Sequence, residues 1–166
     1  MKPTICGLDC SSCGYFGQCA GCAESGGKPF GGTCMVAMCC TAHKETSCGD
    51  FAHGVCALKR QVIAEFNALS IPDMDEVTDL YALVGSYINV QYTSPGGEPF
   101  RLWDDRRIYL GNQLPKKNSD RCYGLTADER YLLVCEYGEG GADAEIVVFA
   151  RRKIKKQGDS DNNENK

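Results

Sequence analysis

The chain has 166 residues, 43% of them hydrophobic and 24% charged, with a formal net charge of −4 at pH 7. That length fits one ordinary domain or two small ones, the composition is that of a globular chain, and no run approaches the roughly 18 apolar residues of a membrane span. The acidic balance argues against nucleic acid as a partner for the body of the protein, because phosphate-backbone binding requires a basic surface.

The unusual quantity is cysteine: twelve residues, ten of them from Cys6 to Cys56. A segment of about sixty residues buries too little apolar surface to fold on that alone and needs disulfides or a metal. The chain starts Met1-Lys2-Pro3-Thr4-Ile5-Cys6 without an apolar leader-like run. A cytoplasmic location with reduced thiols is therefore expected, and reduced thiols serve metals or catalysis.

The spacings are Cys6-x3-Cys10-x2-Cys13-x5-Cys19-x2-Cys22, followed by Cys34, Cys39, Cys40, Cys48 and Cys56. In a C-x-x-C turn both sulfurs point at one metal, and backbone N–H groups behind them bond the thiolates; tetrahedral zinc takes four ligands at about 2.3 Å. Two such pairs among so many further cysteines predict one or two structural zinc ions. The expected ligands are Cys6, Cys10, Cys13, Cys19, Cys22, Cys34, Cys40, Cys48 and Cys56. His43 and His53 lie in the same stretch and could replace a thiol, although a surface histidine is the plainer reading of each. Neighbouring side chains diverge, so Cys39 and Cys40 cannot easily face one metal, and one of them is expected to pack as a small hydrophobe.

Two other chemistries fit the same cysteines. Cys6-x3-Cys10-x2-Cys13 is the spacing that holds the cluster of radical S-adenosylmethionine enzymes, but the chain is too short for the barrel that carries it. An iron–sulfur cluster for electron transfer is an alternative to zinc. So is a dithiol switch at Cys10/Cys13 or Cys19/Cys22. Redox pairs usually open a helix that lowers the first thiol's pKa, and residues 1–56 are expected to be loops and short turns without one.

Beyond this segment, Leu58, Val62, Phe66 and Leu69 recur at helical spacing and Pro72 ends the pattern. Met74, Val77, Leu80 and Val84 predict a second short helix over 73–84, with Asp73 as its cap. Residues 86–93, with Tyr87, Ile88, Val90 and Tyr92, predict a strand closed by Ser94-Pro95-Gly96-Gly97. Residues 100–103 and 107–110 bracket Asp104-Asp105 as a hairpin. Strands are predicted at 131–137 and 145–150, joined by Gly138-Glu139-Gly140-Gly141. An antiparallel sheet of four or five strands is expected in the second half, and 157–166 form a polar, disordered tail.

Catalysis has little support in these residues. Asp104-Asp105 fits a solvated turn better than an acidic pair. A cysteine nucleophile at Cys122 would need a histidine, and both histidines belong to the first segment; Cys122 and Cys135 are expected to be buried packing residues. The glycines at 138–141 lack the lysine and helix of a phosphate loop. The run Arg151-Arg152-Lys153-Ile154-Lys155-Lys156 reads as a solvated basic end to the last strand.

Ile5-Cys6-Gly7-Leu8-Asp9-Cys10-Ser11-Ser12-Cys13, Cys19-Ala20-Gly21-Cys22, Ser47-Cys48-Gly49-Asp50 and Cys56 together resemble a cysteine-rich bacterial and archaeal family catalogued as domain of unknown function 3795. The resemblance covers roughly residues 4–66. Family members commonly close with Cys-Gly-Glu-Cys and a further Cys four residues after a Pro, whereas Phe51 stands in place of the middle cysteine here and Val55 where a proline often precedes the last. If that cysteine is a ligand in the family, this chain has lost one or recruited Cys39 or Cys40. Ile108-Tyr109-Leu110-Gly111-Asn112-Gln113-Leu114 and Asp120-Arg121-Cys122-Tyr123-Gly124-Leu125 resemble a companion region of some members. The family has no assigned activity, so the resemblance implies a metal-binding module and no substrate.

The expected protein is α+β: a Cys-rich, metal-organised module at 1–56, bridging helices at 57–84, a small antiparallel β domain at 85–156 and a tail at 157–166. Its expected role is that of a cytoplasmic zinc-binding protein, non-enzymatic, presenting a surface to a protein or small-molecule partner.

Overall fold

The computed structural model describes residues 4–5, 21–42, 57–85, 91–93, 96–101 and 103–151. Among them are two helices, α1 (Met35–Ala42) and α2 (Ala57–Ala68), and seven strands: β1 (Tyr81–Val84), β2 (Gln91–Thr93), β3 (Pro99–Arg101), β4 (Ile108–Pro115), β5 (Cys122–Ala127), β6 (Tyr131–Tyr137) and β7 (Glu145–Ala150). Five strands form one antiparallel sheet in the order β1-β4-β5-β6-β7, and β2 pairs with β3 apart from it. The fold is thus α+β with an antiparallel sheet of five strands. The predicted tail at 157–166 lies outside the described residues.

Alternation along the strands assigns the two faces. Leu110, Leu125 and Val134, from the three central strands, are at most 5% exposed and share one core with Val36, Ala37, Val62 and Phe66 of the helices. On the opposite face, Tyr109 is buried against Trp103, with ring centroids 4.4 Å apart. The Arg107 guanidinium lies 5.3 Å from the Tyr109 ring centre, and burial raises the Tyr109 phenol pKa above its ordinary value. Removing such side chains from water, at roughly 25 cal/mol per Å² of apolar surface, is the main term holding the layers together.

The helix predicted from the spacing of Leu58, Val62, Phe66 and Leu69 is present as α2. Val62 and Phe66 are fully buried, while Leu58 and Leu69 pack at the margin of the core. Helical bonding loosens before Pro72: Leu69 and Ser70 donate to Phe66 and Asn67 three residues back, and Ser70 takes a positive φ of 50°.

The second predicted helix does not form. Residues 75–80 run without regular secondary structure, and 81–84 are strand β1. The spacing did pick out buried residues, since Val77, Leu80 and Val84 are at most 8% exposed. What it missed is where the backbone bonds go. The Asn67 side chain takes both backbone groups of Val77, accepting from its N–H at 2.8 Å and donating to its carbonyl at 3.0 Å. The Asn112 amide donates to the Asp79 carbonyl at 2.9 Å. Two side-chain amides thus supply the partners a helix would have provided.

The first segment also departs from expectation, because α1 is a helix within what reads as loop. Its sequence, MVAMCCTA, is apolar on every side and shows no amphipathic period to read. Met35, Val36, Ala37 and Cys40 are buried, whereas Met38 is 45% exposed.

The hairpin expected around Asp104-Asp105 resolves differently. A turn is there, with Asp104 accepting the Arg106 N–H at 2.9 Å and Asp105 held by Arg101 through two bonds of 2.9 and 3.0 Å. Its flanking strands pair elsewhere, β3 with β2 and β4 with β1 and β5. By contrast, β6 and β7 run over 131–137 and 145–150 as read from their Leu, Val, Ile and Phe content. Of the strand read at 86–93, Gln91–Thr93 is seen and 86–90 lie outside the described residues.

Candidate metal centre

The described part of the cysteine-rich segment is a glycine-rich turn feeding α1. The Ser25 hydroxyl donates to the Gly21 carbonyl at 2.6 Å and the Gly27 N–H to the Cys22 carbonyl at 2.7 Å. The Gly27 carbonyl then accepts the Cys34 N–H at 2.9 Å, so one residue links the backbones of Cys22 and Cys34. Gly27 has a φ of 85°, a region that side chains other than glycine rarely adopt, and a Cβ there would lie 3.4 Å from the Ala37 side chain.

Both sulfurs on this turn accept a backbone N–H. Ile5 donates to Cys22 Sγ at 3.0 Å, and Ala37 donates to Cys34 Sγ at 3.4 Å. The second bond places Cys34 at the N-cap of α1, where its sulfur takes a donor that the first helical turn leaves unpaired. Both residues are buried, at 9% and 6% exposure. Sulfur is a weak acceptor as a thiol, whereas a thiolate accepts strongly and needs such donors when held away from water.

Cys40 is buried in the core shared by α1 and the sheet, while Cys39 is half-exposed. Among the described residues no three Cys, His, Asp or Glu side chains come together in a way that could hold a metal ion. Cys6, Cys10, Cys13, Cys19, Cys48 and Cys56, with His43 and His53, lie outside the described residues. The Ile5 N–H and the linking role of Gly27 carried no sequence signal, since a backbone donor is set by the local path of the chain.

The turn is seated on the sheet. Cys34 forms a parallel bridge with Ile108, the Ile108 N–H donates to the Thr33 carbonyl at 3.2 Å, and a Cβ on Gly32 would lie 2.7 Å from the Arg106 carbonyl carbon. A Gly32→Ala variant should therefore lose about 1–3 kcal/mol, because one backbone must retreat from another. Its denaturant midpoint measures this, and an unchanged midpoint would show that the seat yields without cost.

Elsewhere, a cleft of about 350 Å³ lies beside β7, walled by Ile71, Pro72, Val147 and Phe149, with Lys116 and Glu136 among its lining residues. Its charges answer one another. Glu136 accepts from Lys116 at 3.0 Å and Arg121 at 2.7 Å, and these bonds hold its carboxyl below the usual range. Cys135 is buried as expected, but Cys122 is half-exposed because it opens β5, at the margin of the sheet. No helix among the described residues is long and apolar enough to cross a membrane.

No protein-family model, curated protein or solved structure matches this chain.

Proposed function

We propose that the chain is a cytoplasmic zinc-binding protein in which thiolates of residues 1–56 hold the metal and the metal orders that segment. The observation that carries this reading is the pair of buried sulfurs at Cys22 and Cys34, each accepting a backbone N–H from a different part of the chain. The donor set fits zinc, a borderline-soft ion that takes cysteine sulfur in closed structural sites. Cys22 and Cys34 would hold it, with further thiolates among Cys6, Cys10, Cys13, Cys19, Cys40, Cys48 and Cys56. Bound zinc would supply cross-linking, and the residues around it supply orientation: Gly27 links the backbones of Cys22 and Cys34, and the first turn of α1 donates to the Cys34 sulfur. Because α1 shares its core with the sheet, order in the segment supports the face the protein presents to a partner.

Elemental analysis of protein grown without added zinc tests this. One or two equivalents of zinc per chain in a colourless protein are expected. Cys22→Ser should lower that content and the thermal midpoint together, while Cys135→Ser should leave the metal content unchanged. Absorbance near roughly 400 nm in anaerobically purified protein would replace zinc with an iron–sulfur cluster. Metal-free protein whose thiols titrate as disulfides would end both metal readings.

A further inference from the structure

The cleft beside β7 is an uncovered part of the sheet face that carries the core. Val134, a member of the core shared with the helices, stands beside Val147 in the register, and Glu136 stands beside both Tyr123 and Glu145. By strand alternation all these side chains rise from that one face. Phe149 packs at the margin of the core, whereas Val147, two residues before it, is 54% exposed. Cover over the face ends between them, and one wall of the cleft is the segment 71–73. That wall is tied down: the Tyr123 hydroxyl donates to the Pro72 carbonyl at 2.9 Å, and the Lys117 N–H to the Asp73 carbonyl at 2.8 Å. The result is a pre-formed, largely apolar hollow of about 350 Å³, a size that small ligands occupy.

The charges around the hollow leave one carboxylate over. Glu136 is held by Lys116 at 3.0 Å and by Arg121 at 2.7 Å, so one carboxylate answers two cations. Asp73 supplies the second negative charge, near enough to Lys116 to favour its protonated form. Lys117 has its own partner in Asp75, at 2.8 Å. Glu145 remains. It lines the cleft, and among the described residues its carboxylate has neither a hydrogen bond nor an ion pair. Its cross-strand neighbour is Glu136, and like charges directly opposite destabilise a pair of strands. A positive charge beside Glu145 offsets a cost that the sheet already carries.

We propose that this cleft binds a small organic cation, an apolar body with one ammonium group, whose ammonium lies beside Glu145 and whose body rests on Val147, Phe149 and Pro72. Removal of the body from water supplies most of the affinity, and Glu145 supplies the choice of charge. Glu145 is exposed, so its attraction is modest and weakens as salt screens it. The lining residues lie outside residues 1–56, and the site stands whether or not that segment holds zinc.

Titration of the full chain with three probes that share one apolar body, followed by nuclear magnetic resonance, separates the two contributions. The probes are phenethylamine in its protonated form, phenethyl alcohol and hydrocinnamate. The ammonium is expected to bind about two- to fivefold more tightly than the alcohol, less so in high salt, and the carboxylate more weakly than either. Glu145→Gln should abolish the preference for the ammonium and leave alcohol binding as it was. Glu145→Lys should pass the preference to hydrocinnamate. Val147→Trp fills the hollow and should weaken all three probes at least about tenfold. Its thermal midpoint should stay put, because residue 147 is exposed. Failure of phenethylamine to bind at millimolar concentration overturns the proposal, as does equal binding of the three probes. So does an ammonium preference that survives Glu145→Gln, or binding that survives Val147→Trp. Tighter binding of hydrocinnamate by the wild type overturns it as well and gives the cleft to an anion at Lys116.

Discussion

Replacing Phe66 by alanine is expected to lower the stability of the protein by about 3–5 kcal/mol. Phe66 is fully buried on α2 and shares its core cluster with Val36 of α1, Val77 and Leu80 of the extended segment and Leu125 of β5. Removing the ring takes away its transfer free energy and leaves a cavity among three kinds of element that cannot all move inward. The neighbouring Asn67 adds to this rigidity by fixing Val77 through two backbone bonds. Denaturant unfolding monitored by circular dichroism measures the loss. Val147→Ala, at a residue 54% exposed, should change stability by no more than about 0.5 kcal/mol. A loss below about 1 kcal/mol for Phe66→Ala would mean that the core collapses around the gap and that α2 is not its centre.

Breaking the Glu65–Arg151 pair comes next in size. Arg151 donates to the Glu65 carboxylate through Nε at 2.5 Å and Nη2 at 3.0 Å, and through Nη1 to the Asp128 carbonyl at 2.9 Å. The pair ties α2 to the end of β7 across 86 positions of sequence, and its side chains are only 9% and 20% exposed. Glu65→Gln leaves a guanidinium in a poorly hydrated place with its counter-charge gone. Fully buried pairs cost about 3–5 kcal/mol to break, and the water that still reaches Glu65 reduces this to about 2–3 kcal/mol. The double variant Glu65→Leu, Arg151→Met should recover most of the loss, since it leaves no charge to desolvate. Arg101→Ala, which cuts an ion pair nearly half-exposed on both sides, should cost less than about 1 kcal/mol. Equal losses for the two pairs would show that burial does not set their worth.

Elements that make their own local argument were legible. α2 has its apolar residues at helical spacing, and β6 and β7 are short runs rich in Leu, Val, Ile and Phe, joined by a glycine-rich turn. Where the text of the chain misled, a distant partner had replaced a local bond. The spacing of Met74, Val77, Leu80 and Val84 suits a helix, yet Asn67 and Asn112 claim the backbone between them. The residues around Asp104 and Asp105 do turn, but β4 finds better pairing with β1 and β5 than with the strand just before it. α1 was invisible for the opposite reason: uniform apolarity leaves no period to detect.

At the candidate centre the division is similar. That thiols are concentrated in residues 1–56 follows from the residue types alone, and zinc there is an expectation drawn from their spacing. The α+β character of the chain was legible too, because periodicity is a property of consecutive residues. Only the tertiary structure decided that Cys22 accepts from Ile5, that Cys34 caps a helix, that Cys40 joins a core with the sheet, and that β7 stands at its edge. Each of these depends on groups distant in sequence or on backbone atoms common to every residue, and side-chain identity carries no record of either.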